Sequence, residues 1–238
     1  MKWDKGQLLY EGKAKKLYAT QDPEYLLAEF KDSLTAFDGG MKAEMTHKGE
    51  WNNQISAAIM GFLNTSGVAT HFVEAISERE QVVKNLKMVP LEAVVRNVLA
   101  GSAARRTGLA EGTALKRPVL EYHWKKDELN DPLLTEDLII GLELATPEQL
   151  TEFRQLAMRV NGLLSSFMDE RGVLLVDFKL EFGYWRDGEL TVGDEVTPDT
   201  CRLWNKEDMT KLDKDRFRRK LGNVAEGYQE ILRRVTQR

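Results

Sequence analysis

The sequence predicts an α+β fold of two lobes with a cleft between them. Three observations carry that expectation. Short strand-like runs separated by turn residues fill the early part, long helical periodicities fill the late part, and a strand–turn–strand pattern stands between two of the late helices. The 238 residues, 42% hydrophobic and 30% charged, can bury a sizeable core and lie near the size at which one core starts to divide.

The elements follow in order. Leu8-Leu9-Tyr10 reads as a strand, Glu11-Gly12-Lys13-Ala14-Lys15 as a turn, and Lys16-Leu17-Tyr18-Ala19 as the returning strand. Residues 25–30 form another strand, and Asp38-Gly39-Gly40 forms a turn. Residues 49–64 carry Ile55, Ile59, Phe62 and Leu63 at helical spacing, with Gly67 as the stop. Residues 72–76, 81–86 and 91–95 read as strands, and 99–108 contain a short helix. Thr146-Pro147-Glu148-Gln149 is a helix start, because Thr146 can cap, Pro147 suits the first turn and Gln149 holds the capping-box position. That helix carries Leu150, Phe153, Leu156, Val160, Leu163 and Phe167 and stops at Gly172. A last helix spans residues 215–234, with Phe217, Leu221, Val224, Tyr228 and Ile231 on one face. Pro90 interrupts two apolar stretches and divides the chain into lobes 1–89 and 90–238.

The net charge of −4 disfavours a general nucleic-acid binder, which needs a basic surplus. Cys201 is the only cysteine, so no disulfide can form within the chain, which fits a reducing compartment. With no histidine near it, Cys201 reads as a bystander thiol. The first thirteen residues lack the apolar stretch of a signal peptide, and no apolar run is long enough to cross a membrane. His47, His71 and His123 do not stand at zinc-ligand spacing.

The first chemical signal is Gly172-Val173-Leu174-Leu175-Val176-Asp177-Phe178-Lys179-Leu180-Glu181-Phe182-Gly183. Strict alternation puts Leu174, Val176, Phe178, Leu180 and Phe182 on a core face, and Asp177, Lys179 and Glu181 on the other. Asp187-Gly188 then reads as a two-residue hairpin loop. Pairing Arg186 with Glu189 sets Tyr184 against Thr191, Phe182 against Gly193 and Glu181 against Asp194. Two carboxylates side by side destabilise a sheet unless something offsets them. A divalent cation such as Mg²⁺ and one shared proton are two ways to do so; a solvated polar face is the plain alternative.

The second signal runs from Pro90 to Ser102. Glu92, Val94 and Arg96 share one strand face, and Ser102 stands where it can cap a helix over residues 103–107 that ends at Gly108. A helix start with Gly101 and Arg96 beside it can take a phosphate. A capped helix with a salt-bridged arginine is the alternative.

These segments carry a resemblance. Met88-Val89-Pro90-Leu91-Glu92-Ala93-Val94-Val95-Arg96 with Ala100-Gly101-Ser102 resembles the first signature of the phosphoribosylaminoimidazole-succinocarboxamide synthase (SAICAR synthetase) family. Leu175-Val176-Asp177-Phe178-Lys179-Leu180-Glu181-Phe182-Gly183 resembles the second. Glu11-Gly12-Lys13-Ala14-Lys15 is similar to the family's ATP loop, and Lys125-Lys126-Asp127 with Asp131-Pro132 to its central motif. Gly193-Asp194-Glu195, Pro198-Asp199 and Arg202-Leu203-Trp204 are similar to its late motifs. Lys126 and Gly40-Met41 depart from the residues common in the family.

The resemblance implies an N-terminal β-rich ATP lobe, similar to that of protein kinases, and a larger C-terminal lobe. It implies condensation of L-aspartate with CAIR, the carboxylated aminoimidazole ribotide of purine synthesis, with ATP as co-substrate and Mg²⁺ as cofactor. By resemblance, Lys13, Ala14, Lys15 and Leu17 cover the nucleotide, and backbone near Met88 meets the adenine. Glu181 and Asp194 hold Mg²⁺. Arg96, Ser102 and Arg202 bind the CAIR phosphate, Asp199 lies by its ring, and Lys125 and Asp131 belong to the substrate cleft. A cytoplasmic homodimer or larger homo-oligomer, with neither nucleic acid nor membrane as partner, is implied as well.

The chemistry fits. Phosphorylating the CAIR carboxylate makes an acyl phosphate that the aspartate amine can attack, and Lys179 can neutralise charge during phosphoryl transfer. Asp177 is a candidate for taking the amine proton only through its place on the strand, and a structural carboxylate is the competing reading. A small-molecule kinase would share the ATP lobe but leave the phosphate on its product. A nucleotide or phosphometabolite sensor would bind ATP without turnover; the charged row of Asp177, Lys179 and Glu181 argues against it.

Overall fold

The computed structural model describes residues 3–36, 40–186 and 188–237. The early part holds β1 (Leu8–Glu11), β2 (Lys15–Ala19), β3 (Tyr25–Phe30), a small pair β4 (Ser33–Ala36) and β5 (Met41–Glu44), helix α1 (Lys48–Thr65), β6 (Phe72–Ala75) and β7 (Glu80–Lys84). Five of these strands form one antiparallel sheet in the order β1-β2-β3-β7-β6. Next come β8 (Lys87–Val98), α2 (Gly101–Thr107), β9 (Ala114–Trp124), β10 (Leu133–Leu134), α3 (Glu136–Gly141) and α4 (Pro147–Asp169). The chain ends with β11 (Val173–Trp185), β12 (Glu189–Gly193), β13 (Cys201–Asn205), α5 (Asp215–Arg218) and α6 (Val224–Thr236). Here the strands form a second antiparallel sheet, β10-β9-β8-β11-β12, with β13 beside the first half of β11. Backbone bonds His71 N–Val192 O (2.8 Å) and Val192 N–Ala69 O (3.0 Å) dock the approach to β6 onto β12 and so tie the two sheets together.

Helix α4 starts as its sequence predicts. Thr146 Oγ1 accepts from Gln149 N at 3.2 Å, and Gln149 Oε1 accepts from Thr146 N at 2.9 Å. Its buried stripe of Leu150, Phe153, Ala157, Val160, Leu164 and Phe167 covers the second sheet, and the Phe153 ring stacks on Phe182 with centroids 5.2 Å apart. Burying each such phenylalanine stabilises the fold by about 1.5–3 kcal/mol. Helix α1 belongs to the same core: Ile55, Ile59 and Leu63 are fully buried there, and Phe62 meets Phe167 at 4.5 Å. Among the described residues no helix is long and apolar enough to cross a membrane.

Several local expectations are overturned. The β11–β12 hairpin pairs Trp185 with Glu189, so its loop has three residues, 186–188, with Arg186 at φ +24° and Gly188 at φ +85°. The register moves by one, and Glu181 faces Gly193 instead of Asp194. The like-charged pair directly across the sheet is Glu181 with Glu92 of β8. Strict alternation along β11 also fails. Leu175 pairs with Leu203 and Asp177 with Arg202, which leaves Val176 as an extra residue in a β-bulge. Val173 and Leu175 therefore face the main core together with Phe178, Leu180 and Phe182, while Val176, with Leu174 packed against it, belongs to a separate small cluster with Val98, Ala100 and Trp204.

Ser102 is not a cap: α2 begins at Gly101, with Ala100 in the N-cap position and no side-chain bond there. The predicted last helix is broken into α5 and α6 by a turn in which Lys220, Gly222 and Asn223 have φ +55°, +75° and +50°, and Leu221 is exposed. Pro90 lies inside β8, at a register irregularity with β11 between Glu92 and Met88, so the strand begins before it. Strands β4, β5, β9, β10 and β13 and helix α3 had no sequence expectation. Of the predicted turns, Asp38, Gly39 and Asp187 lie outside the described residues.

Candidate active site

Three adjoining cavities make one groove that starts between the sheets and ends over the second sheet. The first, about 190 Å³, is lined by Leu17, Leu26, Ala28, Val83, Leu86 and Met88, with Lys15 and His71 at its polar side. Lys15 and Leu17 share a face of β2 because side chains repeat every second residue. Burial, helped by the Lys15 ammonium, pushes the His71 imidazole down to about 3, so it is neutral.

The second cavity, about 490 Å³, shares Lys15, Lys125, Glu181 and Asp194 with the first. Lys179 Nζ is its centre, 2.7 Å from Glu181 Oε1, 2.8 Å from Glu92 Oε1 and 3.1 Å from Asp194 Oδ2. Lys15 contacts both Asp194 and Glu195, and Lys125 contacts Glu181. Burial alone would lower both the Lys15 and Lys179 ammonium groups, but the carboxylates around them outweigh it and hold them above the usual lysine range. Burial and the neighbouring Asp194 charge push Glu195 up, while Lys15 and Lys179 overcome burial at Asp194 and hold it down. Lys13, on the loop between β1 and β2, reaches across to Asp127 at 2.9 Å, and the Ala14 carbonyl accepts from Lys31 N at 2.8 Å. Asp131 Oδ1 accepts from Lys126 N at 2.8 Å and shapes the opposite wall.

The third cavity, about 230 Å³, shares Glu92, Lys179, Asp199 and Thr200 with the second. Asp177 stands opposite Arg96 on β8 and opposite Arg202 on β13. Its Oδ2 accepts from Arg96 Nη1 at 2.7 Å and from Arg202 Nη1 at 2.8 Å. Arg96 Nη2 reaches Ser102 Oγ at 3.3 Å. Gly101 has φ +53°, and a Cβ there would lie 2.7 Å from Arg202 Cζ, so the backbone approaches the guanidinium as only glycine allows. Asp199 closes the floor. It accepts from Asn52 Nδ2 (2.8 Å) and Tyr228 OH (2.7 Å) and pairs with Lys48 Nζ at 2.5 Å. Burial would raise its carboxyl, but Lys48 and Lys214 hold it well below the usual range. Cys201 is buried beside this cavity, and burial pushes its thiol up, away from a thiolate.

The structure thus gathers Lys15, Leu17, Met88, Glu181, Asp194, Lys125 and Lys179 around the first two cavities and Arg96, Ser102, Asp177, Asp199 and Arg202 around the third. Lys13, Ala14 and Asp131 line the second cavity. Sequence reasoning assigned no role to Glu92, Glu195, Glu121, Asp215, Lys48, Asn52 or Tyr228. The alternation in Leu120-Glu121-Tyr122-His123-Trp124 carried a signal for Glu121. Nothing local marks Lys48 or Tyr228, which reach Asp199 from helices far apart in the chain.

An apolar slot leads into a row of lysines and carboxylates and ends at a pair of arginines; this is the groove of an enzyme that uses a nucleotide on an anionic substrate. The chain belongs to the SAICAR synthetase family, whose family model matches residues 8–235. The phosphoribosylaminoimidazole-succinocarboxamide synthase of Bacillus subtilis is 51% identical over 231 residues, 97% of this chain and 96% of that protein. The crystal structure of the Ehrlichia chaffeensis synthase is 41% identical with TM-score 0.94, covering 96% of this chain and 98% of that one. A SAICAR synthetase in complex with ADP is also 41% identical, with TM-score 0.92 and coverage of 95% and 97%.

Proposed function

We propose how the groove carries out the reaction of the family. The chain condenses L-aspartate with CAIR to give SAICAR, ADP and phosphate. The observation that carries the assignment of roles is the continuity of the three cavities, with Lys15, Lys125, Glu181 and Asp194 shared by the first two and Lys179 by the second and third. Adenine enters the apolar slot against Leu17 and Met88, and Lys13, Ala14 and Lys15 cover the phosphates. Arg96, Ser102 and Arg202 take the CAIR phosphate, Asp199 stands by the ring, and Lys125 and Asp131 wall the cleft. Residues 1–89 serve as the nucleotide lobe and 90–238 as the substrate lobe. Support for two lobes is that the five-stranded sheet lies within residues 8–84 and the six-stranded one within 87–205, which puts the break between sheets just before β8 rather than at Pro90.

Glu181 and Asp194 fit a divalent cation, since both already converge on one positive group, Lys179 Nζ, at 2.7 and 3.1 Å. Among the described residues no group of three or more His, Cys, Asp or Glu side chains is placed to hold a metal alone, so nucleotide phosphates would complete the shell, as Mg²⁺ prefers. When bound, Mg²⁺ draws negative charge from the phosphates.

A CAIR carboxylate oxygen attacks the γ-phosphorus, and ADP leaves with the bond's electron pair. The aspartate nitrogen then adds to the acyl carbon, the C–O bond breaks, inorganic phosphate leaves with that oxygen, and the nitrogen gives up a proton. Lys179 neutralises charge at the transferring group. Asp177, engaged by two guanidinium groups, serves to hold them rather than to move protons. Confinement of three substrates in one groove supplies much of the remaining rate. A cytoplasmic homodimer or larger assembly is proposed on the family likeness; light scattering of the purified chain tests the assembly.

The test is phosphate release from ATP with Mg²⁺ and CAIR, with and without L-aspartate, and with Glu181→Ala as the control. Aspartate-dependent release that is lost in the variant supports the reaction and the cation assignment. No release from a folded protein that binds ATP would sink the reading.

A further inference from the structure

We infer that Glu121 and Asp215 are positioning residues for the two anion-binding arginines, each holding the inner nitrogen of one guanidinium so that its outer edge is presented to the cavity. The inference rests on the proposed role of Arg96 and Arg202. Glu121 Oε2 accepts from Arg96 Nε at 2.8 Å, and Asp215 Oδ2 accepts from Arg202 Nε at 2.9 Å. Asp177 takes Nη1 of both. A carboxylate-to-arginine chain therefore runs Glu121–Arg96–Asp177–Arg202–Asp215 across β9, β8, β11, β13 and α5.

The geometry leaves two donors over. Arg96 Nη2 has only the long 3.3 Å contact with Ser102 Oγ, and Arg202 Nη2 has no hydrogen bond among the described residues. Both lie at the start of α2, one beside Ser102 and the other against Gly101. A guanidinium bound on two of its sides can rotate about neither its long axis nor its Cδ–Nε bond without breaking a charge-assisted bond, so the free nitrogens are aimed before the anion arrives. The outer carboxylates are themselves neutralised, Glu121 from the exposed rim and Asp215 by Arg218, which also lines the third cavity. Arg106 contacts Glu121, and Arg218 Nη1 meets Asp215 Oδ1 at 2.7 Å. Arg219 also reaches Asp215, at 3.5 Å, but is itself held by Glu111. Leaving that pair aside, Arg96, Arg202, Arg106 and Arg218 face Glu121, Asp177 and Asp215, and the excess positive charge is left for a ligand. Burial would raise both outer carboxyls, but His123 with Arg96 and Arg106 brings Glu121, and Arg202 with Arg218 brings Asp215, down to about 2, so both are charged throughout the neutral range.

A carboxylate that only braced the fold would change stability and leave the substrates equally affected. One that acts through an arginine changes binding of the phosphorylated substrate and nothing once that arginine is gone. The experiment is steady-state kinetics on the full chain with Glu121→Gln, Arg96→Met and the double variant, and with inorganic phosphate as a competitive inhibitor against CAIR. Glu121→Gln raises KM for CAIR about tenfold, far more than it changes kcat or KM for ATP, and weakens phosphate inhibition in step. In the Arg96→Met background it adds less than about twofold. Additive effects in the double variant, or equal rises in KM for ATP and CAIR, overturn the inference while leaving the phosphate site standing. An unchanged KM for CAIR in Arg96→Met overturns the phosphate site itself and the inference with it. Asp215→Asn against Arg202→Met repeats the cycle at the other end. Asp215 is 1% exposed, so if its variant does not fold, the Glu121 cycle decides alone, Glu121 having 16% of its side chain exposed at the rim.

Discussion

Asp177→Asn is the sharpest perturbation of the groove. The Asp177 carboxylate is 3% exposed and receives Arg96 Nη1 and Arg202 Nη1 on one oxygen at 2.7 and 2.8 Å. Those two nitrogens therefore lie no more than about 5.5 Å apart, where two positive charges repel by about 3 kcal/mol at an effective dielectric of about 20. Asparagine removes the charge that offsets this repulsion and turns an N–H group toward one of the donors. Breaking such a buried ion group by removing one member costs about 3–5 kcal/mol. For a chain of this size that is a fall of about 10 °C in Tm. The same reasoning says how to reverse the loss: an anion between the arginines takes over part of the missing charge. The assay is thermal unfolding followed by circular dichroism in an anion-poor buffer, without and with millimolar phosphate, for wild type and variant. The variant falls by about 10 °C and gains more from phosphate than wild type does. A loss below about 2 °C, or an equal phosphate gain in both proteins, refutes the reasoning.

Two further predictions concern other parts of the groove. Leu17→Gln puts an amide in the apolar slot and raises KM for ATP about tenfold through lost apolar contact; a rise in KM for CAIR of the same size would show that the slot is not the adenine site. Acid stability follows from carboxyls held low in the folded state. Glu121 and Glu111 move from an ordinary 4.5, and Asp215 from 3.8, to about 2 each, because hydrogen bonds and charges from their Arg and Lys neighbours, and from His123 at Glu121, outweigh burial. Their stabilisation is complete above the ordinary values and is lost as pH falls toward 2. Asp213, which burial and Asp215 push up to about 7, has the opposite sign and weakens the fold as pH rises from about 4 to about 7. Urea midpoints therefore fall between pH 5 and pH 3, and a midpoint at pH 3 as high as at pH 5 would sink this account.

What the sequence made legible was whatever local pattern decides. The α4 start was readable because Thr146 and Gln149 satisfy each other within one turn. The charged row was readable as residue types, since Lys179 and Glu181 are two apart on one strand. What it concealed is what depends on a count of one. A third loop residue moved Glu181 off Asp194, yet both still meet, because Asp194 follows β12 with φ +60° and both bond Lys179. The expected closeness was right and its expected cause, direct cross-strand pairing, was not. The break between α5 and α6 had a signal in Gly222-Asn223, which apolar periodicity overrode. The partners of Asp199 had no local signal, because Lys48 and Tyr228 are brought together only by the packing of α1 near α6.

The bulge at Val176 explains how one strand serves two cores and a charged site. Before it, odd-numbered Val173 and Leu175 face the main core; after it, even-numbered Phe178, Leu180 and Phe182 do. Without the extra residue, Asp177 would follow Val173 and Leu175 into that core, where an unpaired carboxylate is costly. With it, Asp177, Lys179 and Glu181 share the groove face, and Asp177 falls opposite an arginine on both neighbouring strands. The displaced Val176 is not wasted. It packs with Val98, Ala100 and Trp204 on the opposite side, and Ala100 immediately precedes Gly101 and Ser102. The same local irregularity therefore sets the carboxylate that holds both arginines and anchors the backbone against which those arginines lie. The position of the groove's anion end is thus a consequence of strand register on β11, and the short apolar cluster behind it is part of that end rather than a separate piece of the fold.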